Sequence, residues 1–410
     1  MKEKTLDILQ KYSQEHLLHF INELNEEEKN LLEEQILSID FEQLQSVNKG
    51  NIKKISENIE PITGCTKKEF STQEQDQITK RGEEIIKKEK YALVTLAGGQ
   101  GTRLGHTGPK GTYKVDLKNC SKYIFEIFVE YLNEIYKKYS VYVPWYIMTS
   151  KENNEETTTF FADNDYFGYP KEKITFFEQG QLPLTDLDEN ILLKEKNIIY
   201  EAADGNGGIF TALSKNGIIE DMKKKDIEWV LITGIDNILV NVADPFYIGL
   251  VEKEGKLNGV KSIAKNSPEE KVGVFCKRDG KPGVVEYSEM DDAMRYATKP
   301  DGELQYIEAN IVNHLLNIKV LEKIQNEKLP IHKAIKKIDY IDKNGNKIAP
   351  TQPCVIKYET FIFDYFNKVD DVTILRVERT QEFAPIKNKL GPDSPDTASK
   401  LYNDKYFKGV

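Results

Sequence analysis

The feature that most restricts this chain is the apolar run Tyr91-Ala92-Leu93-Val94-Thr95-Leu96-Ala97, which ends abruptly in Gly98-Gly99-Gln100-Gly101-Thr102-Arg103-Leu104-Gly105. A short continuous apolar run bounded by glycines reads as a strand buried on both faces, as in parallel sheets. Glycines directly after such a strand let backbone N–H groups approach a bound phosphate chain closely. Similar runs follow at 141–148, 174–177 and 229–235, with helical patterns at 123–138 and 209–225 between them. That alternation predicts an open, doubly wound α/β sheet, whose ligand sits at the carboxyl ends of its strands. Strand-like stretches at 272–276 and 284–287 belong to a mixed region from about 260 to 380.

The glycine loop matches neither common phosphate-binding fingerprint. The dinucleotide motif requires glycine where Leu104 stands, and the P-loop requires a Gly-Lys-Ser/Thr that is absent here. Pro109-Lys110-Gly111 instead places a second cation a few residues beyond Arg103. Two fixed cations suit a triphosphate, because transfer at an α-phosphorus expels pyrophosphate, whose growing charge must be neutralised by positioned cations and a metal. Asp236 follows directly after the run 229–235, and a carboxylate at a strand's carboxyl end can reach such phosphates.

Three domain-scale regions are expected: a helical N-terminal region over 1–90, a central α/β region over 91–370, and a small C-terminal region over 371–410. In the first, Leu6, Leu9, Leu17, Phe20, Ile21, Leu24, Leu31 and Leu32 recur at mostly helical spacing, and Ser71-x-x-Glu74 resembles a capping box opening a helix that runs to about Lys90. The net charge of -10 offers no basic field for a polynucleotide. Four scattered cysteines with no C-x-x-C pair read as reduced thiols, and no apolar stretch is long enough to span a bilayer. A cytoplasmic chain without nucleic-acid or membrane partners is the expectation. His106 sits beside the glycine loop but has no general-base role, His314 and His332 show no metal-ligand spacing, and Asp291-Asp292 reads as solvated loop charge.

The string 96–105 with Pro109-Lys110-Gly111 resembles the signature of the UDP-N-acetylhexosamine pyrophosphorylases, a family that includes shorter bacterial uridylyltransferases. The resemblance continues through 176–183, 204–208, 236–240, 242–245, 285–289, 310–311 and 382–388, in order over about residues 90–400. It implies a Rossmann-like nucleotidyltransferase fold with a central, mostly parallel or mixed sheet, and it implies UTP and a sugar 1-phosphate as substrates with Mg2+ as cofactor. Carried over, Leu96, Ala97, Gly98 and Gly99 would bind the nucleotide, with Gln179, Gly205 and Asn206 around uracil and ribose and Gly234 against the nucleotide. Arg103, Lys110 and Lys387 would carry the catalytic charge, and Asp236 would be the metal ligand. Glu286, Tyr287 and Asn310 would read sugar hydroxyls, Lys357 would receive the sugar phosphate with Lys387, and Phe361 and Phe363, alternating as on a strand, would wall an acetamido pocket.

The reaction implied is attack of N-acetylglucosamine 1-phosphate on the α-phosphorus of UTP. A closely related reading replaces the sugar with glucose or galactose 1-phosphate; the start 96–100 favours the N-acetylhexosamine branch. A catalytically silent nucleotide-sugar binder is a third reading, disfavoured because a binder needs no full set of Arg103, Lys110, Asp236 and Lys387.

Overall fold

A computed structural model describes residues 2–48 and 58–407. The chain packs as two units, interleaved in sequence: one formed by Met1–Ser56, Gly180–Gly208 and Lys328–Asp364, the other by Glu57–Gln179, Ile209–Glu327 and Tyr365–Val410. The boundaries at 90 and 370 mark changes in chain character, whereas this division follows packing.

The larger unit is built on a sheet whose main strands are β1 (Tyr91–Leu96), β2 (Trp145–Thr149), β3 (Ile174–Glu178), β4 (Trp229–Gly234), β5 (Asn258–Ala264), β6 (Val274–Arg278), β7 (Lys281–Val285), β8 (Glu308–Asn317) and β9 (Thr373–Val377), joined by the short strands Ile59–Pro61 and Cys65–Thr66. Across the sheet the order is Cys65–Thr66, β9, β5, β8, β4, β1, β2, β3. Along that path only β8 runs against its neighbours, pairing antiparallel with β4 and β5. The expected mixed, mostly parallel sheet is therefore present, and its strands are buried on both faces as the apolar runs require.

Local departures from the sequence reading have local causes. The run 141–148 becomes strand only at Trp145, after Pro144, which has no N–H to give to a ladder. The pattern 209–225 splits into Ile209–Lys215 and Ile218–Lys224 at Asn216-Gly217, where Gly217 takes φ +68°. β6 and β7 form a hairpin closed by Asp279-Gly280, both at positive φ. The capping box is made as read: Ser71 Oγ accepts from Glu74 N at 3.3 Å, and Ser71 N donates to Glu74 Oε2 at 2.9 Å.

The helix so opened, α1 (Thr72–Lys87), lies against α2 (Pro245–Lys253) at a backbone-limited distance. A Cβ on Gly82 would stand 1.9 Å from the Pro245 carbonyl oxygen, and one on Gly249 would stand 1.9 Å from that of Ile78.

The smaller unit opens with the helices Glu3–Lys11, Glu26–Ser38 and Phe41–Asn48. Leu9, Leu17, Phe20, Leu24 and Leu32 of the expected periodic set are buried, whereas Leu6 and Leu31 are exposed. Residues 49–57, the end of the expected helical lead-in, lie outside the described residues. Short two-stranded ladders complete this unit, among them Gln181–Pro183 with Glu201–Ala203 and His332–Lys336 with Val355–Glu359.

Candidate active site

In the larger unit the expected residues gather at the carboxyl ends of β1, β3 and β4. Leu96 and Gly234 are register partners, and Ile235 N donates to the Leu96 carbonyl at 3.2 Å. Ala97 is held on both sides: its N donates to Met148 O at 2.8 Å, and its carbonyl accepts from the Asn153 side chain at 3.0 Å. Gln179 follows β3 and lays its amide over Gly98, where a Cβ would meet Nε2 at 2.6 Å. Glycine at 98 is thus the space that this amide occupies.

The glycine loop closes on itself. Gly101 N donates to Gly108 O at 2.9 Å and Lys110 N to Gly99 O at 3.0 Å, with Gln100 bridged to Pro109. Thr112 donates its hydroxyl to the Pro109 carbonyl at 2.8 Å, so the 2.8 Å contact with His106 Nε2 has the histidine as donor. His106 therefore braces the loop, a role the sequence reading did not give it. Arg103 and Lys110 stand on this frame, and neither makes an ion pair with a described residue. They leave two cations available to an anion.

Asp236 lies just beyond β4. Its carbonyl accepts from Ile386 N at 2.8 Å, and its carboxylate turns back over Gly234, where a Cβ would be 2.7 Å from Oδ1. That half-buried carboxylate makes no hydrogen bond or ion pair with a described residue, which leaves it open to a cation. Among the described residues no group of three or more His, Cys, Asp or Glu could hold a metal alone. Magnesium is commonly held by one or two carboxylates together with substrate phosphates, so a single open carboxylate beside a phosphate loop fits it.

Lys387 is fixed one residue past the bond to Asp236. Its N donates to the Asp393 carbonyl at 2.6 Å, and its ammonium lies 3.9 Å from the Asp393 carboxylate. Burial raises the Asp393 carboxyl above the usual aspartate range, Lys387 opposes the rise and the charge of Asp236 adds to it. Asp393 is a functional neighbour the sequence reading missed, because nothing in Gly391-Pro392-Asp393 signals that the chain doubles back on Lys387.

Glu286 and Asn310 converge on Gly273: a Cβ there would be 2.7 Å from Glu286 Oε1, and Asn310 N donates to the Gly273 carbonyl at 2.9 Å. β7 ends at Val285, so Glu286 and Tyr287 occupy the following turn and not the expected strand; Glu286 N is bonded to Glu289 Oε2 at 2.8 Å. Tyr287 remains 42% exposed.

The other expected residues belong to the smaller unit. Gly205 takes φ +88°, and Asn206 Oδ1 accepts from Ile362 N at 2.9 Å. Phe361 and Phe363 do not alternate on a strand. Residues Ile362–Lys368 wind as a 3-10 helix after a turn in which Asp364 N donates to Phe361 O at 3.0 Å, and the two rings stack at 5.1 Å. His332 packs on Phe361 at 4.5 Å and bonds Asp364 through Nε2 at 2.8 Å. Lys357 is paired with Glu359 at 2.7 Å, so its charge is already partly answered.

A profile of the family described as UTP–glucose-1-phosphate uridylyltransferase matches residues 33–391. The chain is 35% identical over 419 residues to the UDP-N-acetylhexosamine pyrophosphorylase-like protein 1 of Xenopus tropicalis, covering 96% of this chain and 82% of that protein. It is 38% identical over 355 residues to the UDP-N-acetylglucosamine pyrophosphorylase of Saccharomyces cerevisiae, covering 84% of this chain and 73% of that protein. Among solved structures, the uridine diphosphate N-acetylglucosamine pyrophosphorylase of Trypanosoma brucei, in complex with an inhibitor, superposes with a TM-score of 0.83 at 30% identity, covering 98% of this chain and 84% of that one. The chain belongs to the UDP-sugar pyrophosphorylase family of uridylyltransferases. The resemblance read from its motifs holds, although these relatives are eukaryotic and not bacterial.

Proposed function

We propose that this chain joins UTP to N-acetylglucosamine 1-phosphate, forming UDP-N-acetylglucosamine and releasing pyrophosphate. The observation that carries the reading is the set of charges left without partners among the described residues at the carboxyl edge of the sheet: Arg103 and Lys110 on the closed glycine loop, and the Asp236 carboxylate at the end of β4. A site that keeps both signs open within one fold suits a polyphosphate that arrives with its own cation.

In this reading Leu96, Ala97, Gly98 and Gly99 present backbone to the nucleotide, Gln179 offers an amide to the uracil edge, and Gly234 leaves room above Asp236. Asp236 would hold Mg2+, which when bound neutralises phosphate charge. An oxygen of the sugar phosphate forms a bond to the α-phosphorus while the bond from that phosphorus to the bridging oxygen breaks. Arg103 and Lys110 stabilise the departing pyrophosphate, and Lys387 orients the incoming phosphate. The attacking group is already an anion, so no general base is needed. Glu286 and Asn310, joined through Gly273, suit sugar hydroxyls; Gly205, Asn206, Lys357, Phe361 and Phe363 remain proposed binding residues on the resemblance alone.

The N-acetylated sugar is supported by the names of relatives at 35–38% identity. A cytoplasmic setting is part of the same proposal, supported by four free cysteines. Pyrophosphate release with UTP and Mg2+ against N-acetylglucosamine, N-acetylgalactosamine, glucose and galactose 1-phosphates tests it. Preference for the first is expected; turnover of only the plain hexose phosphates would overturn the sugar. Arg103→Ala should lower kcat by roughly 100-fold or more, as loss of a preorganised charge does, with the circular dichroism unchanged.

A further inference from the structure

Asp244 of the motif Val242–Pro245 and Glu382 of the motif 382–388 have no part in the chemistry just described, yet both reach one buried ammonium. Lys261, on β5, is fully buried, and its Nζ lies 2.7 Å from Asp244 Oδ2 and 2.6 Å from Glu382 Oε2. Asp244 also caps α2, accepting from Phe246 N at 3.0 Å. Burial works against charge on Asp244, but the Lys261 ammonium prevails and holds its carboxyl below the usual aspartate range.

From Glu382 onward the chain is sewn to the end of β4. Asn237 donates its side-chain N–H to Glu382 O at 2.7 Å, and its side-chain oxygen accepts from Ala384 N at 2.8 Å. Ile238 N donates to Ala384 O at 3.2 Å, and Ile386 N to Asp236 O at 2.8 Å. Asp236 opens one side of this seam and Lys387 leaves the other. A buried ion cluster is a poor source of net stability, since apolar side chains of the same volume usually serve as well, so its use here calls for a role in geometry.

We propose that Lys261, Asp244 and Glu382 are positioning residues: the buried ammonium holds the start of the 382–387 segment so that Lys387 and Asp236 stand in one fixed register. The proposal rests on the assignment of those two residues to the site. Lys261 touches no substrate; it acts through Glu382 and the seam.

The test uses the full chain and four variants, with kcat and KM for each substrate expressed per folded molecule. Glu382→Ala leaves Lys261 paired with Asp244, so the fold is kept while the anchor is lost. Its kcat should fall by about 100-fold, the scale on which an ångström of misplacement acts, with KM for UTP nearly unchanged because the glycine loop is untouched. Glu382→Gln keeps an oxygen within reach of the ammonium and should restore most of kcat. Wild-type kcat in folded Glu382→Ala overturns the proposal, as does failure of glutamine to rescue. Asp236→Asn and Lys387→Ala, measured alongside, separate the two layers: if they keep wild-type turnover the site assignment itself falls, whereas if they lose it while Glu382→Ala does not, only the positioning role falls.

Discussion

Among single residues, His314 gives the clearest link between burial and a measurable property. It sits in β8 opposite Ile232 and Val260, fully buried, its ring 5.8 Å from that of Tyr365, and neither ring nitrogen has a hydrogen-bond partner. Burial pushes its pKa down to about 3. A histidine neutral in the fold but titrating near 6.5 when unfolded binds more protons in the unfolded state between those values, so stability falls as pH drops below about 6.5 and the loss saturates near 3. Between pH 8 and 5.5 the loss from this group should be about 1.4 kcal/mol. Denaturant melts of wild type and His314→Phe across that range would show it as a difference that narrows with acidity; parallel curves would remove the assignment. The sequence reading found no metal-site spacing at this histidine, and spacing alone says nothing of burial.

At the scale of elements, the contact between α1 and α2 sets the sharpest constraint. Gly82→Ala forces a methyl onto the Pro245 carbonyl and should cost about 2–3 kcal/mol, the usual penalty for overpacking. Gly99→Ala, with nothing within 4 Å of the new methyl, should melt near wild type; equal melting of both would refute the packing argument. What the sequence disclosed at this scale followed from local physics. The β1 run and the Ser71–Glu74 box each carry their signal within a few residues, and each forms as read. What stayed hidden depends on distant partners or on a single breaker: Asn216-Gly217 divides one helical pattern, and the turn at Asp364 converts the apparent alternation of Phe361 and Phe363 into rings stacked across the start of a 3-10 helix. Asn153 and the Lys261 cluster were invisible for the first reason, since their partners lie far away along the chain, whereas Asp393 is only six residues from Lys387 and was hidden by a turn that nothing in its sequence marks.

For the whole molecule, unpartnered charges imply a trade between stability and function. Among the described residues Arg103 and Lys110 pair with no anion and Asp236 with no cation, so a polyphosphate that arrives with its own cation can pair with all three and stabilise the folded chain by mass action. UTP with Mg2+ at 100 times its Kd should add about 2.7 kcal/mol and raise the melting temperature by several degrees. Arg103→Ala should melt at or above wild type without ligand and lose most of that rise; an undiminished rise would place the nucleotide elsewhere. The interleaved units were not legible in advance, because a division made by packing leaves no mark at the points where the chain crosses it. One further consequence concerns synthesis. Asn237 and Ala384, whose bond closes the seam beneath Asp236 and Lys387, are separated by 147 residues. A ribosome adding about 5–20 residues per second takes roughly 10–30 s to bridge that interval. Throughout it the nascent chain already carries the glycine loop, and Lys357 before its end, yet lacks Lys387, so turnover begins only when translation has passed that residue.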